Sequence, residues 1–208
     1  MMNGILALQG GGPFVANDDL DRRLIATAGA TRVIMLPTAD AYEHPELLVA
    51  AAMAWGERLD VEVEALMVMR RGEAMEDGVV GVIRGARAVY LVGDQPLHLR
   101  SVLKGTPLWE AIVQVQASGG LVAATGGSAA AMCDPMVDPR GGAFTLGLGL
   151  IDGLALVTEA ETWSTDRLHR TLKLANTPIV ELPSGSALVR TAEGWERVGE
   201  MTVHGNLP

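Results

Sequence analysis

The stretch Leu121-Val122-Ala123-Ala124-Thr125-Gly126-Gly127-Ser128-Ala129-Ala130-Ala131-Met132 decides the architecture. Residues 121–124 are apolar at every position, the two glycines allow a sharp turn, and a run of small residues opens a helix at Ser128. A strand with no polar face must be covered on both sides. A strand that turns at once into a helix is the unit from which parallel sheets are assembled.

The same alternation runs outward in both directions. A short apolar run at 4–9 ends in Gly10-Gly11-Gly12, and helical spacing of Leu20, Leu24 and Ile25 marks a helix over 18–30. Strands follow at 32–36, 61–69 and 88–92, separated by helices over 45–58 and 76–85, and further helices start at Pro96 and Pro107. The expected fold class is α/β: a doubly wound, mostly parallel sheet flanked by helices, with right-handed crossovers. Beyond Pro135 the texture changes. A Pro- and Gly-rich loop over 134–142 leads to a strand near 154–157 and a helix over 165–175. Short strands at 179–182, 187–190 and 201–204 are expected to form an antiparallel C-terminal edge. With no repeat, low-complexity tract or linker, residues 1–208 read as a single domain.

Composition narrows the function classes. The 208 residues are 49% hydrophobic and 20% charged, enough apolar material for a full core, which excludes disorder. No apolar run reaches the ~20 residues that span a bilayer, and Met-Met-Asn-Gly lacks the basic segment that opens a signal peptide. The net charge of −9, with basic residues scattered, argues against nucleic acid or a membrane surface as partner. Cys133 stands alone, which rules out an internal disulfide and suits a reducing, cytoplasmic setting.

Ligands of open parallel sheets gather at the carboxyl ends of the strands. Three glycine turns fall there: Gly10-Gly11-Gly12, Gly93-Asp94-Gln95 and Gly126-Gly127-Ser128. The third has the layout of a nucleophile elbow, in which a strained turn lifts a Ser hydroxyl above the sheet. Its strict form is G-x-S-x-G, and Ala130 stands where the last glycine would be. A glycine turn with a capping Ser gives the same local pattern without chemistry. Neither G-x-G-x-x-G nor a P-loop with its Lys is present, and the four His are not spaced as ligand pairs, so no cofactor and no metal are expected. Cys133 lies beyond the turn and reads as a buried structural thiol.

Taken in order, Gly10-Gly11-Gly12, Gly93-Asp94-Gln95-Pro96-Leu97-His98-Leu99, the elbow, Met136-Val137-Asp138-Pro139-Arg140-Gly141 and Leu182-Pro183-Ser184-Gly185 resemble the peptidase E and cyanophycinase family of serine peptidases. That resemblance implies a fold like that of class I glutamine amidotransferases. It places the nucleophile on Ser128 and the oxyanion donors on the backbone of Gly93, Asp94 and Ala129. The pocket would include Gly11, Gly12, Gln95, Gly127 and Asp138. The family's His falls on Glu159 and its orienting acid on Ser184, both altered. Pro13 also replaces the acid that follows the triple glycine in relatives. A Ser hydroxyl without a base is a weak nucleophile, and general-base assistance is worth ~10²–10⁴ in rate. The expectation is therefore a serine hydrolase homologue, impaired or inactive, with a pocket for a small peptide or amino-acid-like ligand and with self-association as a homodimer. The alternative is an active peptidase or amidase on small peptides, its base recruited from His44, His98, His169, His204 or a glutamate.

Overall fold

The computed structural model describes residues 4–208; the first three residues, and with them most of the N-terminal signal-peptide reading, lie outside the described part. The first half alternates as β1 (Ile5–Gln9), α1 (Asp18–Thr27), β2 (Arg32–Leu36), α2 (Pro45–Leu59), β3 (Glu62–Ala65), α3 (Asp77–Arg84), β4 (Ala88–Leu91), α4 (Pro96–Leu103), α5 (Pro107–Ala117), β5 (Leu121–Thr125) and α6 (Gly127–Ala131). Four two-residue strands follow: β6 (Cys133–Asp134), β7 (Met136–Val137), β8 (Phe144–Thr145) and β9 (Ile151–Asp152). The chain ends with β10 (Ala155–Thr158), α7 (Thr165–Leu174), β11 (Ile179–Leu182), β12 (Ala187–Thr191), β13 (Gly194–Val198) and β14 (Thr202–His204).

A seven-stranded sheet runs β13-β12-β1-β5-β4-β2-β3. The strands from β1 to β3 are mutually parallel, and β12 and β13 add an antiparallel edge. Side-chain alternation along each strand divides the core in two. Leu6, Leu8, Ile34, Leu36, Val89, Leu91, Val122 and Ala124 pack under α3 to α6. Ile5, Ala7, Val33, Met35, Ala88, Tyr90, Leu121 and Ala123 pack under α1 and α2, around the fully buried Trp55. This two-sided cover is why residues 5–8, 33–36, 88–91 and 121–124 are apolar at every position. The fold is thus α/β, with a mostly parallel sheet flanked by helices.

The C-terminal strands depart from expectation. The three segments at 179–182, 187–190 and 201–204 do not make one edge. Instead β12 joins the main sheet beside β1 and turns back through β13, while β11 pairs in parallel with β10 and antiparallel with β14 in a separate three-stranded sheet. The strand expected over 61–69 ends at Ala65, because Val68 N–H turns back onto Leu66 O and takes the chain off the sheet edge. No described helix is long and apolar enough to cross a membrane.

Candidate active site

The carboxyl ends of β1, β5 and β4 stand side by side: Gln9 lies opposite Thr125 and Leu91 opposite Ala124. The turns that leave them therefore share one crevice. Residue 126 has φ 62° and ψ −134°, a conformation that glycine reaches at little cost and that strains other residues. It is the single residue between β5 and α6.

That placement corrects the expected elbow. The vertex of the turn is Gly126, which carries no side chain, and Ser128 is the second residue of α6. Ser128 has no exposed surface. Its Oγ donates to Gly93 O at 3.0 Å, and its backbone N–H donates to the same oxygen at 2.9 Å. The serine thus ties α6 to the turn after β4, where an elbow nucleophile would stand free above the sheet.

Two of the three expected oxyanion donors are also otherwise engaged. Asp94 N–H donates to Asp40 Oδ1 at 2.6 Å, and Ala129 N–H closes a helical turn on Gly126 O at 3.0 Å. Gly127 N–H, the first amide of α6, points at Asp94 Oδ1 at 3.3 Å. Internal carboxylates therefore face the backbone amides that a developing oxyanion would need, an arrangement that opposes the buildup of negative charge there.

Glu159 and Ser184, far apart in sequence, do meet. Both flank Gly11, where a Cβ would fall 2.7 Å from Glu159 Cγ and 2.7 Å from Ser184 Oγ, so a side chain there would displace one or both. Glu159 adopts φ 48° and its N–H donates to Gly10 O at 2.9 Å, which fixes the β10 end against the first glycine turn. Its carboxyl is raised above the ordinary range by burial first, then by the charges of Asp94, Glu161 and Asp40. Asp40 is raised by burial, partly offset by the amide of Asp94, with the charges of Asp94 and Glu43 adding to the rise. Glu161 accepts from Ser184 N–H at 3.2 Å; desolvation would raise its carboxyl, but bonds from Ser184 and its own backbone outweigh that and hold it low. Asp40, which the sequence reading did not single out, is thereby part of the site; nothing local to 38–40 marks it.

The remaining candidates separate from this group. Gln95 is an exposed residue at the start of α4, and Gly12 bends the first turn at φ 68°. Asp138 is committed to Arg140, whose guanidinium holds its carboxyl below the usual range. Cys133 is fully buried, and burial pushes its thiol far up, away from reactivity. The imidazoles do not reach Ser128 either: His98 bonds Met69 O, His44 pairs with Glu46, His204 pairs with Glu181, and His169 sits on the exposed side of α7. Among the described residues no group of three or more His, Cys, Asp or Glu is arranged to hold a metal ion.

No protein-family model matches the chain. Cyanophycinases of Nostoc sp. and Trichormus variabilis are each 28% identical to it over 160 residues, 74% of this chain. The chain spans about half (54%) of the length of these curated relatives. In three dimensions it is similar to a peptidase from an acI-B1 actinobacterium, with TM-score 0.86 and 25% identity, covering 98% of this chain and 90% of the other. The crystal structure of a Listeria monocytogenes protein carrying the peptidase E designation has the same fold, with TM-score 0.70, 18% identity and 97% and 98% coverage. The chain is thus similar in sequence to cyanophycinases and in fold to these peptidase structures.

Proposed function

We propose that this protein is a peptidase E/cyanophycinase-type hydrolase homologue whose serine chemistry is impaired or absent, and that its crevice binds a small peptide or amino-acid-like ligand. The observation that carries this reading is the state of Ser128: fully buried, with its hydroxyl proton given to Gly93 O. Acyl transfer requires an exposed Oγ, a base within hydrogen-bond reach and free donors for the oxyanion. Here the position that the resemblance gives to the base carries Glu159, and the nearest amides face Asp40 and Asp94. The competing reading, an active peptidase with a recruited base, would need Ser128 to leave α6's packing and an imidazole to travel to it.

The ligand end that such a crevice favours is an ammonium or amide N–H rather than a carboxylate, because the charges of Asp40, Asp94, Glu159 and Glu161 overlap there. Thermal denaturation with a panel of amino acids, amino-acid amides and dipeptides tests this. A saturable rise in Tm is expected by mass action, larger for amides than for the free acids and reduced in Glu159→Gln. Hydrolysis of any panel member that disappears in Ser128→Ala would overturn the impaired reading. A flat response to the whole panel would remove the ligand class. Self-association as a homodimer belongs to the same proposal, and a monomer by light scattering at micromolar concentration would dispose of it.

A further inference from the structure

We propose that Asp94, an exposed residue whose side chain folds back over the turn, is a plug of the amide cradle at the elbow, and that its carboxylate fills the space that a side chain at residue 126 would need. A Cβ on Gly126 would lie 2.4 Å from Asp94 Oδ1, well inside contact distance. The same oxygen faces Gly127 N–H at 3.3 Å. Gly127 is wedged as tightly: a Cβ there would fall 2.7 Å from the Asp94 backbone carbonyl. Asp94 is in turn held by its own N–H on Asp40 Oδ1 at 2.6 Å, and Ser128 pins the preceding carbonyl, Gly93 O, through both its N–H and its hydroxyl. One carboxylate thus occupies both things a serine elbow needs: the room for a side chain at the vertex and the first helical amide beside it.

The absence of a vertex side chain and the presence of an acid after Gly93 are on this view a single feature. With the plug seated, a carbonyl oxygen entering the crevice meets a carboxylate where it would require a donor. The functional meaning of the plug rests on the impaired reading above; the contact itself does not.

A double-mutant cycle isolates the contact. Ala at residue 126 carries the backbone strain of φ 62° in every background, so that cost cancels and the remainder reports Asp94. Gly126→Ala should shift the unfolding equilibrium about tenfold less in the Asp94→Gly protein than in the wild type, within the range of coupling seen for residues in contact. Equal shifts in both backgrounds would overturn the proposal. If Gly126→Ala alone does not fold, Asp94→Gly/Gly126→Ala should; failure of both would count against the plug.

A second readout does not depend on stability. In the amide NMR spectrum at fixed pH, Asp94→Ala should move the Gly127 N–H resonance upfield, because that amide loses its acceptor, while Asp40, Glu159 and Glu161 remain in both proteins and set the background. A Gly127 resonance that stays in place in Asp94→Ala would show that the carboxylate does not face this amide. Either failure would leave the chemical state of Ser128 untouched, so the plug and the impaired reading fall separately.

Discussion

The molecule gathers carboxylates in two places and settles them in opposite ways. Asp21 of α1 is 1% exposed and is surrounded by side-chain donors: Gln9 Nε2 at 2.6 Å and Tyr90 O–H at 2.8 Å. Gln9 passes the network on, its Oε1 accepting from Asn17 Nδ2 and Thr125 Oγ1. In the crevice, by contrast, Asp40 and Asp94 take backbone amides from the turns, and Glu159 faces other acids. The first carboxylate is a structural tie between α1, β1 and β4. The second group is half-open and mutually repulsive, a surface that a ligand could complete. Solvation and partner type, rather than the presence of an acid, separate fold from site.

The comparison can be broken by substitution, beginning with its largest effect. Burial raises the Asp21 carboxyl from its ordinary 3.8 to about 6, the bonds from Tyr90 and Gln9 offsetting part of the rise. A carboxyl held more tightly protonated in the folded state makes stability fall as pH rises through this window. The penalty is absent below about pH 4 and complete above about pH 7, and a shift of this size corresponds to about 3 kcal/mol. Asp21→Asn keeps an oxygen for both donors, so it should raise stability by that order at pH 8 and change little at pH 4. Urea denaturation at the two pH values checks it; destabilisation at pH 8 would mean that the anion is the favoured form. Tyr90→Phe should act in the other direction. Losing one donor to a buried anion costs about 1.5–3 kcal/mol at pH 8, and less at pH 4, where the acceptor is neutral. Equal losses at both pH values would reduce the bond to ordinary packing.

The crevice carboxylates should respond more weakly, since water and salt screen them. Glu159→Gln is expected to raise stability by less than about 1 kcal/mol at low ionic strength, with the gain fading as salt is added. A stability loss would show that Glu159 has a favourable partner in the folded chain. An effect of similarly small size is expected at Ser128. Ser128→Ala gives up one hydrogen bond to an oxygen that keeps its backbone donor, a loss of about 1 kcal/mol.

Much of this architecture can be read in the residues. Stretches such as 121–124 and 88–91 are apolar throughout because helices cover both faces, and that signal is local. The glycine turns that line the crevice are equally visible. What the sequence does not display is where pairing stops. Gly126-Gly127-Ser128 satisfies the elbow spacing, but Thr125 is still paired to Gln9, so the turn comes at Gly126 and carries Ser128 into the helix. Partner choice among short strands is likewise tertiary: Ile179–Leu182 and Ala187–Thr191 look alike, yet they enter different sheets. The strand Gly194–Val198 escapes notice because an edge strand facing water needs no apolar alternation. Asp40 is found only through the amide it accepts, a contact 54 residues distant in the chain.

The central claim is that Ser128 is an ordinary, buried hydroxyl. The most direct measurement is treatment of the folded protein with a fluorophosphonate, followed by intact mass and peptide mapping, with Ser128→Ala as control. The account predicts no adduct at Ser128 and no reagent-dependent mass increase in either protein. Stoichiometric modification at Ser128, lost in Ser128→Ala, would contradict it and would establish an activated nucleophile in this crevice.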